Sequence, residues 1–142
     1  MKIFIKKIST NEEEEILVKT HDTNAPWVEY IKQVDRSQAY IIGYKNERMH
    51  QIELKDVLYF ESVDGKTFLY TLKDVYSCKN KLYELDNLPL FFRASKAMVV
   101  NSKKIKTIKP SLSGRFEIVL KNEEKIMVNR HYVAILKEKL GL

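Results

Sequence analysis

A mainly β fold, α+β overall once its short helices are counted, is predicted by three observations. Eight Tyr and six Phe stand among many Ile and Val in the 142-residue chain, a set enriched in strands. Apolar and polar residues alternate in short runs such as Phe116-Glu117-Ile118 and Lys2-Ile3, and a period of two belongs to strands. Between the runs stand tight-turn pairs, above all Asp64-Gly65, which tolerate the positive φ of a type I′ hairpin turn.

Taken in chain order, Lys2–Ile8 and Ile16–Thr20 read as two strands, with Glu12–Glu15 between them as a solvated turn or a partner-binding acidic patch. His21 to Pro26 supplies N-cap candidates and a proline suited to a first helical turn. Trp27, Tyr30, Ile31 and Val34 follow at the spacing of an amphipathic helix, which should stop near Arg36. A helix this short is marginal alone and must lay its stripe on neighbouring strands. Ala39–Tyr44 is β-branched and aromatic. Residues 1–45 are therefore expected to form a small α/β module of strands and one helix, and residues 46–142 a second domain.

In that second domain Met49–Leu54 and Val57–Ser62 read as strands, the latter opening on the continuously apolar Val57-Leu58-Tyr59-Phe60 of a strand buried on both faces. Thr67–Leu72 leads out of the Asp64-Gly65 hairpin. Asn80–Leu88 reads as a short helix ended by Pro89, with Leu82, Leu85 and Leu88 facing the core. Strands at Phe91–Arg93 and Met98–Val100 bracket Ala94 to Ala97. Lys104–Ile108, Phe116–Leu120 and Ile126–Val128 complete the strands, with turns at Pro110–Gly114 and Asn122 to Glu124. Asn129 is a credible N-cap for a last helix whose inward face is Val133, Leu136 and Leu140.

Composition narrows the function. Hydrophobic residues make up 44% of the chain and charged residues 31%, ordinary globular values. No stretch approaches the roughly 18–20 apolar residues of a membrane-spanning helix, and the alternating start is not a signal peptide. A cytoplasmic protein is expected. The single Cys78 has no internal disulfide partner, and His21, His50 and His131 do not stand in metal-binding spacing. No cofactor is implied. No nucleophile motif or Gly-rich phosphate loop occurs, so an enzyme is not expected.

The positive charge is localised. Residues 1–50 hold eight Lys/Arg and eight Asp/Glu, whereas residues 51–142 hold seventeen against eleven. Between Arg93 and Arg130 the count is ten against three. Such polarisation suits a surface that meets a polyanion, although many basic proteins bind none. Lys66 falls at the tip of the Asp64-Gly65 hairpin, Lys96 in the connection after Arg93, and Arg130 just after the last N-cap. Long cations at loop tips on a rigid sheet can reach guanine O6 and N7 in a major groove, and Thr67 or Ser95 can reach other base edges or phosphates. Simple solvation is the plainer reading of each lysine, and Arg93, between Phe92 and Ala94, could instead belong to a partly buried ion pair. Tyr59, Phe60, Phe68 and Tyr70 could stack single-stranded RNA, but in predicted central strands core packing is the better reading. An RNA-binding β domain and a protein-interaction module with an incidental basic face are the alternatives.

The run Val57-Leu58-Tyr59-Phe60-Glu61-Ser62, the hairpin Asp64-Gly65-Lys66 and the Asn80–Leu88 helix together resemble the LytTR DNA-binding domain of bacterial LytR/AlgR-type transcription regulators. The similarity continues through Phe92-Arg93-Ala94-Ser95-Lys96, Val99-Val100-Asn101, Ile105, Ile108, Gly114-Arg115 and Val128-Asn129-Arg130, from about Tyr44 to Leu140. The F-x-R-x-x-K/R and V-N signatures, in order and correctly spaced, carry it. The resemblance implies an elongated LytTR-type β-sheet stack with short helices and no helix-turn-helix. Its loops would enter successive major grooves of double-stranded DNA, usually on paired direct repeats and as a homodimer. By motif position it implies base contacts from Lys66, Thr67, Ser95, Lys96 and Arg130. Phosphate contacts would come from Arg93, Asn101, Lys103, Lys104, Lys106, Lys109, Arg115 and Asn129. The family often has His where this chain has Thr67, and His and Ser where it has Ser95 and Ala97, so a different preferred site is implied. Residues 1–45 lack the acidic pocket and lysine of a receiver domain, which makes a stand-alone regulator the expectation. Their charge-neutral helix stripe would serve dimerisation or a regulatory membrane protein partner, or simply pack on its own strands.

Overall fold

The computed structural model describes residues 1–32 and 40–142. The chain forms two compact units, Met1–Asp35 and Arg36–Leu142, each taken by itself below.

Among the described residues of the first unit one helix forms, α1 (Pro26–Lys32), where the proline and the apolar spacing predicted it. Asp22 precedes it, its carboxylate accepting the Asn24 N–H at 2.8 Å. Val34 of the expected stripe, and the expected stop near Arg36, lie outside the described residues, as does the Tyr30 side chain. The two strands expected at Lys2–Ile8 and Ile16–Thr20 do not form. Ile3, Phe4 and Ile5 are 81–94% exposed, so an apolar alternation has no surface here on which to bury itself. A lone two-stranded ribbon is marginal in water. The turn before the glutamate run does form: Ser9 Oγ donates to Glu12 Oε1 at 2.8 Å and the Glu12 N–H returns to the Ser9 carbonyl. The Ser9 hydroxyl and the Ser9 N–H, both donating to Glu12 Oε1, hold the Glu12 carboxyl below its usual range.

The second unit carries ten described strands in two antiparallel sheets. β1 (Tyr40–Lys45), β2 (Arg48–Glu53), β3 (Tyr59–Val63), β4 (Lys66–Tyr70), β5 (Val75–Cys78), β6 (Phe91–Ser95) and β7 (Met98–Asn101) make a seven-stranded sheet in the order β2-β1-β5-β4-β3-β7-β6. β8 (Ile105–Pro110), β9 (Phe116–Leu120) and β10 (Lys125–Val128) make a three-stranded sheet in the order β10-β9-β8. Among the described residues two α-helices complete the unit, α2 (Leu82–Leu85) and α3 (Val133–Leu140). β1, read from sequence as the last element of the N-terminal module, instead pairs with β2 and β5 inside the large sheet. Gly43 makes that pairing possible, because a Cβ there would stand 2.6 Å from Ile52 Cδ1 and 2.8 Å from Tyr76 Cβ. β5 was not anticipated at all.

Strand alternation builds a core on each face of the large sheet. Val57, Phe60, Leu69, Phe91 and Val99 pack with Leu82 and Leu85 of α2. Leu58, Tyr59, Phe92 and Val100 pack with Ile118, Leu120, Ile126 and Val128 of the small sheet and with Val133 and Leu136 of α3. Val57 to Phe60 are at most 5% exposed, as their unbroken apolar run predicted. The result is three layers, with the large sheet in the middle. Tyr59 stacks on Tyr70 with ring centroids 4.4 Å apart and donates its hydroxyl to Glu124 Oε2 at 2.8 Å, tying the two sheets together. Burial, then the hydrogen bond to Glu124, raises the Tyr59 pKa well above the ordinary tyrosine value.

Candidate nucleic-acid interface

Strand direction gathers the predicted tips at one end of the second unit. The β3–β4 hairpin turns through Asp64 and Gly65 at φ 51° and 76°, the left-handed pair that a type I′ turn requires. Its closing pair is Val63 opposite Lys66. β7 runs antiparallel to β3 with Glu61 opposite Met98, so the β6–β7 turn, Lys96-Ala97, lies at the same end. In the small sheet Pro110, Phe116 and Val128 are cross-strand neighbours. The β8–β9 turn and the Asn129–Arg130 segment therefore share one end of that sheet.

Backbone hydrogen bonds stitch these loops to one another. The Ser62 N–H donates to the Ala97 carbonyl at 2.8 Å, joining the hairpin end of β3 to the β6–β7 turn. A register shift between Arg93 and Ser95 makes Ala94 the extra residue of a bulge, and a bulged residue is left out of its ladder. The Ala94 carbonyl instead accepts the Asn129 N–H at 2.9 Å. A Cβ on Gly114 would lie 3.6 Å from Arg130 Cβ, so the β8–β9 turn stands beside Arg130. Asn129 N-caps the 3-10 turn Arg130–Tyr132, its side-chain oxygen accepting the His131 N–H at 3.1 Å.

Lys66, Lys96 and Arg130 are exposed at this end, and Arg115 with them. Ser95 is half-buried, its Oγ accepting the Ala97 N–H at 3.3 Å. Asn129 is exposed with its oxygen committed to the cap. Lys109 is on β8, opposite Glu117 and 3.5 Å from its carboxylate.

Six of the expected site residues are buried, paired or placed away from the tips. Thr67 is 6% exposed; it shares a strand face with Leu69, towards α2, and presents no surface for base contact. Asn101 is fully buried. Its side-chain N–H donates to the Val57 carbonyl at 2.8 Å and its oxygen accepts the Lys103 N–H at 3.0 Å, so it is a structural bracket and no phosphate ligand. Arg93 is the ion-pair member that its neighbours had suggested, 3.0 Å from Asp86. Lys103 and Lys104 follow β7 at the end of the sheet opposite Lys96, where the Lys104 carbonyl accepts the Lys121 N–H at 2.9 Å. Lys106 lies on β8 away from the turn and pairs with Glu123.

Sequence reading missed Lys79 and Lys81. Both line, with Lys66 and Ser77, a shallow hollow of about 480 Å³ beside the hairpin, because Thr67 pairs with Cys78 across β4 and β5. Lys79 Nζ stands 5.0 Å over the Tyr44 ring. The signal was the lysine spacing in Cys78-Lys79-Asn80-Lys81, where the expected helix begins at Asn80 and no strand is expected before it. Among the described residues no group of three or more His, Cys, Asp and Glu is placed to hold a metal ion. No described helix is long and apolar enough to cross a membrane.

A layered β scaffold with exposed basic tips gathered at one end offers a surface complementary to a polyanion. The chain belongs to the LytTR family: the model of the LytTr DNA-binding domain matches residues 47–141. It is 27% identical over 126 residues to an uncharacterized HTH-type transcriptional regulator of Staphylococcus aureus strain NCTC 8325, covering 87% of this chain and 85% of that protein. A counterpart in strain MRSA252 is 26% identical over the same shares. The structure is similar to a solved LytTr DNA-binding domain from Bacillus cereus, with a TM-score of 0.67 and 23% identity over 74% of this chain and 99% of that one. The protein is thus a DNA-binding transcription regulator. Its helices are each separated by strands, so among the described residues no two are consecutive as in a helix-turn-helix.

Proposed function

We propose that the protein reads specific double-stranded DNA sequences by inserting the Lys66, Lys96 and Arg130 tips into major grooves. The observation that supports this is the joining of three exposed cationic tips, at one end of a rigid scaffold, by the Ser62–Ala97 and Asn129–Ala94 backbone bonds. Lys and Arg side chains suit guanine edges, and Ser95 flanks Lys96 within reach of a neighbouring base or phosphate. Arg115, Lys109, Asn129, Lys79 and Lys81 surround the tips and supply phosphate contacts that set register. The protein acts by binding, in the cytoplasm, and not by catalysis.

Two copies on paired direct repeats would double the contact area, with α1 contributing Trp27 and Ile31 to self-association or to a regulatory membrane protein. Footprinting on the promoter region of its own gene, with competition among duplex DNA, single-stranded DNA and RNA at near-physiological salt, tests the reading. Protection of a discrete duplex site is expected; equal competition by RNA would overturn it. Sedimentation velocity of the full chain and of a Trp27→Ala/Ile31→Ala variant, free and on duplex, tests the dimer. An unchanged assembly state in the variant would remove α1 from that role.

A further inference from the structure

We propose that Arg93, clamped by Asp86, is a positioning residue that fixes the Lys96 tip for base recognition; the proposal rests on the tip reading above. The guanidinium is used on two sides at once. Nε donates to Asp86 Oδ2 at 3.1 Å, Nη2 forms the ion pair 3.0 Å from the same oxygen, and Nη1 donates to the Lys96 carbonyl at 2.8 Å. With side-chain exposures of 18% and 26%, Arg93 and Asp86 form the most enclosed ion pair among the described residues.

Both ends of the clamp are anchored. Asp86 closes α2, its N–H donating to the Leu82 carbonyl at 2.9 Å, and Leu82 and Leu85 are buried in the core. The far end holds the Lys96 carbonyl of the β6–β7 turn. Ala94 gives its carbonyl to Asn129 and Ala97 gives its own to Ser62; the Lys96 carbonyl between them depends on Arg93. Without that donor the peptide following Lys96 keeps only the longer bond from the Ala97 N–H to Ser95 Oγ, at 3.3 Å, and the Lys96 side chain loses the shorter of the two bonds that fix its origin. Misplacing a contact group by about 1 Å is enough to spoil a directional contact.

The chemistry also explains why the residue is arginine. A planar fork with five donors can serve a carboxylate and a carbonyl in different directions, whereas an ammonium is a point charge that cannot span both. Paired with Asp86, Arg93 brings no net charge to the interface. It therefore differs from a phosphate-binding cation in a measurable way.

The test uses the full chain and its Arg93→Lys, Arg93→Ala, Asp86→Asn and Lys96→Ala variants. Each is selected on a pool of random-sequence duplex DNA, its base preferences are read by sequencing, and its affinity is followed against salt. Lys96→Ala is expected to erase preference at one base pair. Arg93→Lys should flatten preference at that same pair, on the order of tenfold, with the salt slope unchanged. Asp86→Asn should shift it part of the way, because a carboxamide oxygen still accepts one N–H. Retained preference in Arg93→Lys, with a salt slope lowered by about one in Arg93→Ala, would make Arg93 a phosphate contact and overturn the proposal. So would a loss of thermal stability in Arg93→Lys and Asp86→Asn with base preference intact. If Lys96→Ala itself leaves preference unchanged while Arg115→Ala weakens binding, the tip reading fails and the positioning role falls with it.

Discussion

The Asn129 N–H reaches the Ala94 carbonyl across 2.9 Å, and through this one bond the small sheet hands Arg130 to the β6–β7 turn of the large sheet. The bulge at Ala94 supplies the acceptor. Two loops 35 positions apart in sequence thereby become one surface.

Arg130 should behave as a base reader. Arg130→Ala is expected to cost about 1–3 kcal/mol on the specific site and to relax preference at one base pair. Quantitative footprinting on site variants checks this, and an equal loss on every duplex would assign Arg130 to the backbone instead.

The cations should divide by their end of the sheet. Arg115→Ala is expected to lower the slope of log affinity against log salt by about 0.9. Lys103→Ala and Lys104→Ala, at the opposite end, should leave it unchanged. A titration of duplex binding across a salt series distinguishes the two sets.

Asn101 should matter to folding and not to DNA. Asn101→Ala strands the buried Val57 carbonyl and removes the acceptor for the Lys103 N–H, a loss of about 2–3 kcal/mol. Urea unfolding measures it. The folded fraction should keep its DNA affinity, since the residue is fully buried.

Gly43→Ala tests whether β1 is integral to the domain. The new methyl would meet Ile52 Cδ1 and Tyr76 Cβ closer than 3 Å, and overpacking of this kind costs about 1–3 kcal/mol. A melting temperature equal to that of the parent would mean that β1 is not held in the sheet.

Alkaline pH should unfold the protein through its stacked tyrosines. Burial raises the pKa of both Tyr59 and Tyr70 from the usual 10.0, so the folded state holds its phenol protons more tightly than the unfolded chain. The associated stability is complete below pH 10 and declines above it. Melting curves between pH 9 and 12, on the order of the ordinary tyrosine range, should show this decline. It should be shallower in Tyr70→Phe, which leaves the Tyr59–Glu124 bond in place.

Much of the scaffold was legible because local chemistry decides it. Asp64-Gly65 dictated the hairpin and the apolar run Val57 to Phe60 dictated a strand covered on both faces, whereas Asn129, expected to cap the last helix, caps the 3-10 turn before it, and Tyr132 opens the helix. What escaped depends on distant partners. Val75–Cys78 sits between Lys73-Asp74 and Lys79 and reads as a loop; only the ladders to β4 and β1 make it a strand. Lys2–Ile8 shows the converse, a strand pattern without a ladder. The candidate interface was legible as a set of cations but not as a place. Which end of a sheet Lys103 or Lys96 occupies follows from the sense of each strand, and whether Arg93 is free follows from an aspartate at the end of α2.

Among the described residues the side chains of Lys66, Lys96 and Arg130 make no hydrogen bond or ion pair, while the loops that bear them are fastened through main-chain groups. Main-chain fastening is indifferent to which side chain it carries. The three positions can thus exchange residues at a stability change within about 0.5 kcal/mol, and on the proposed tip reading a chassis of this kind is re-addressed to a new operator by three codons without being rebuilt.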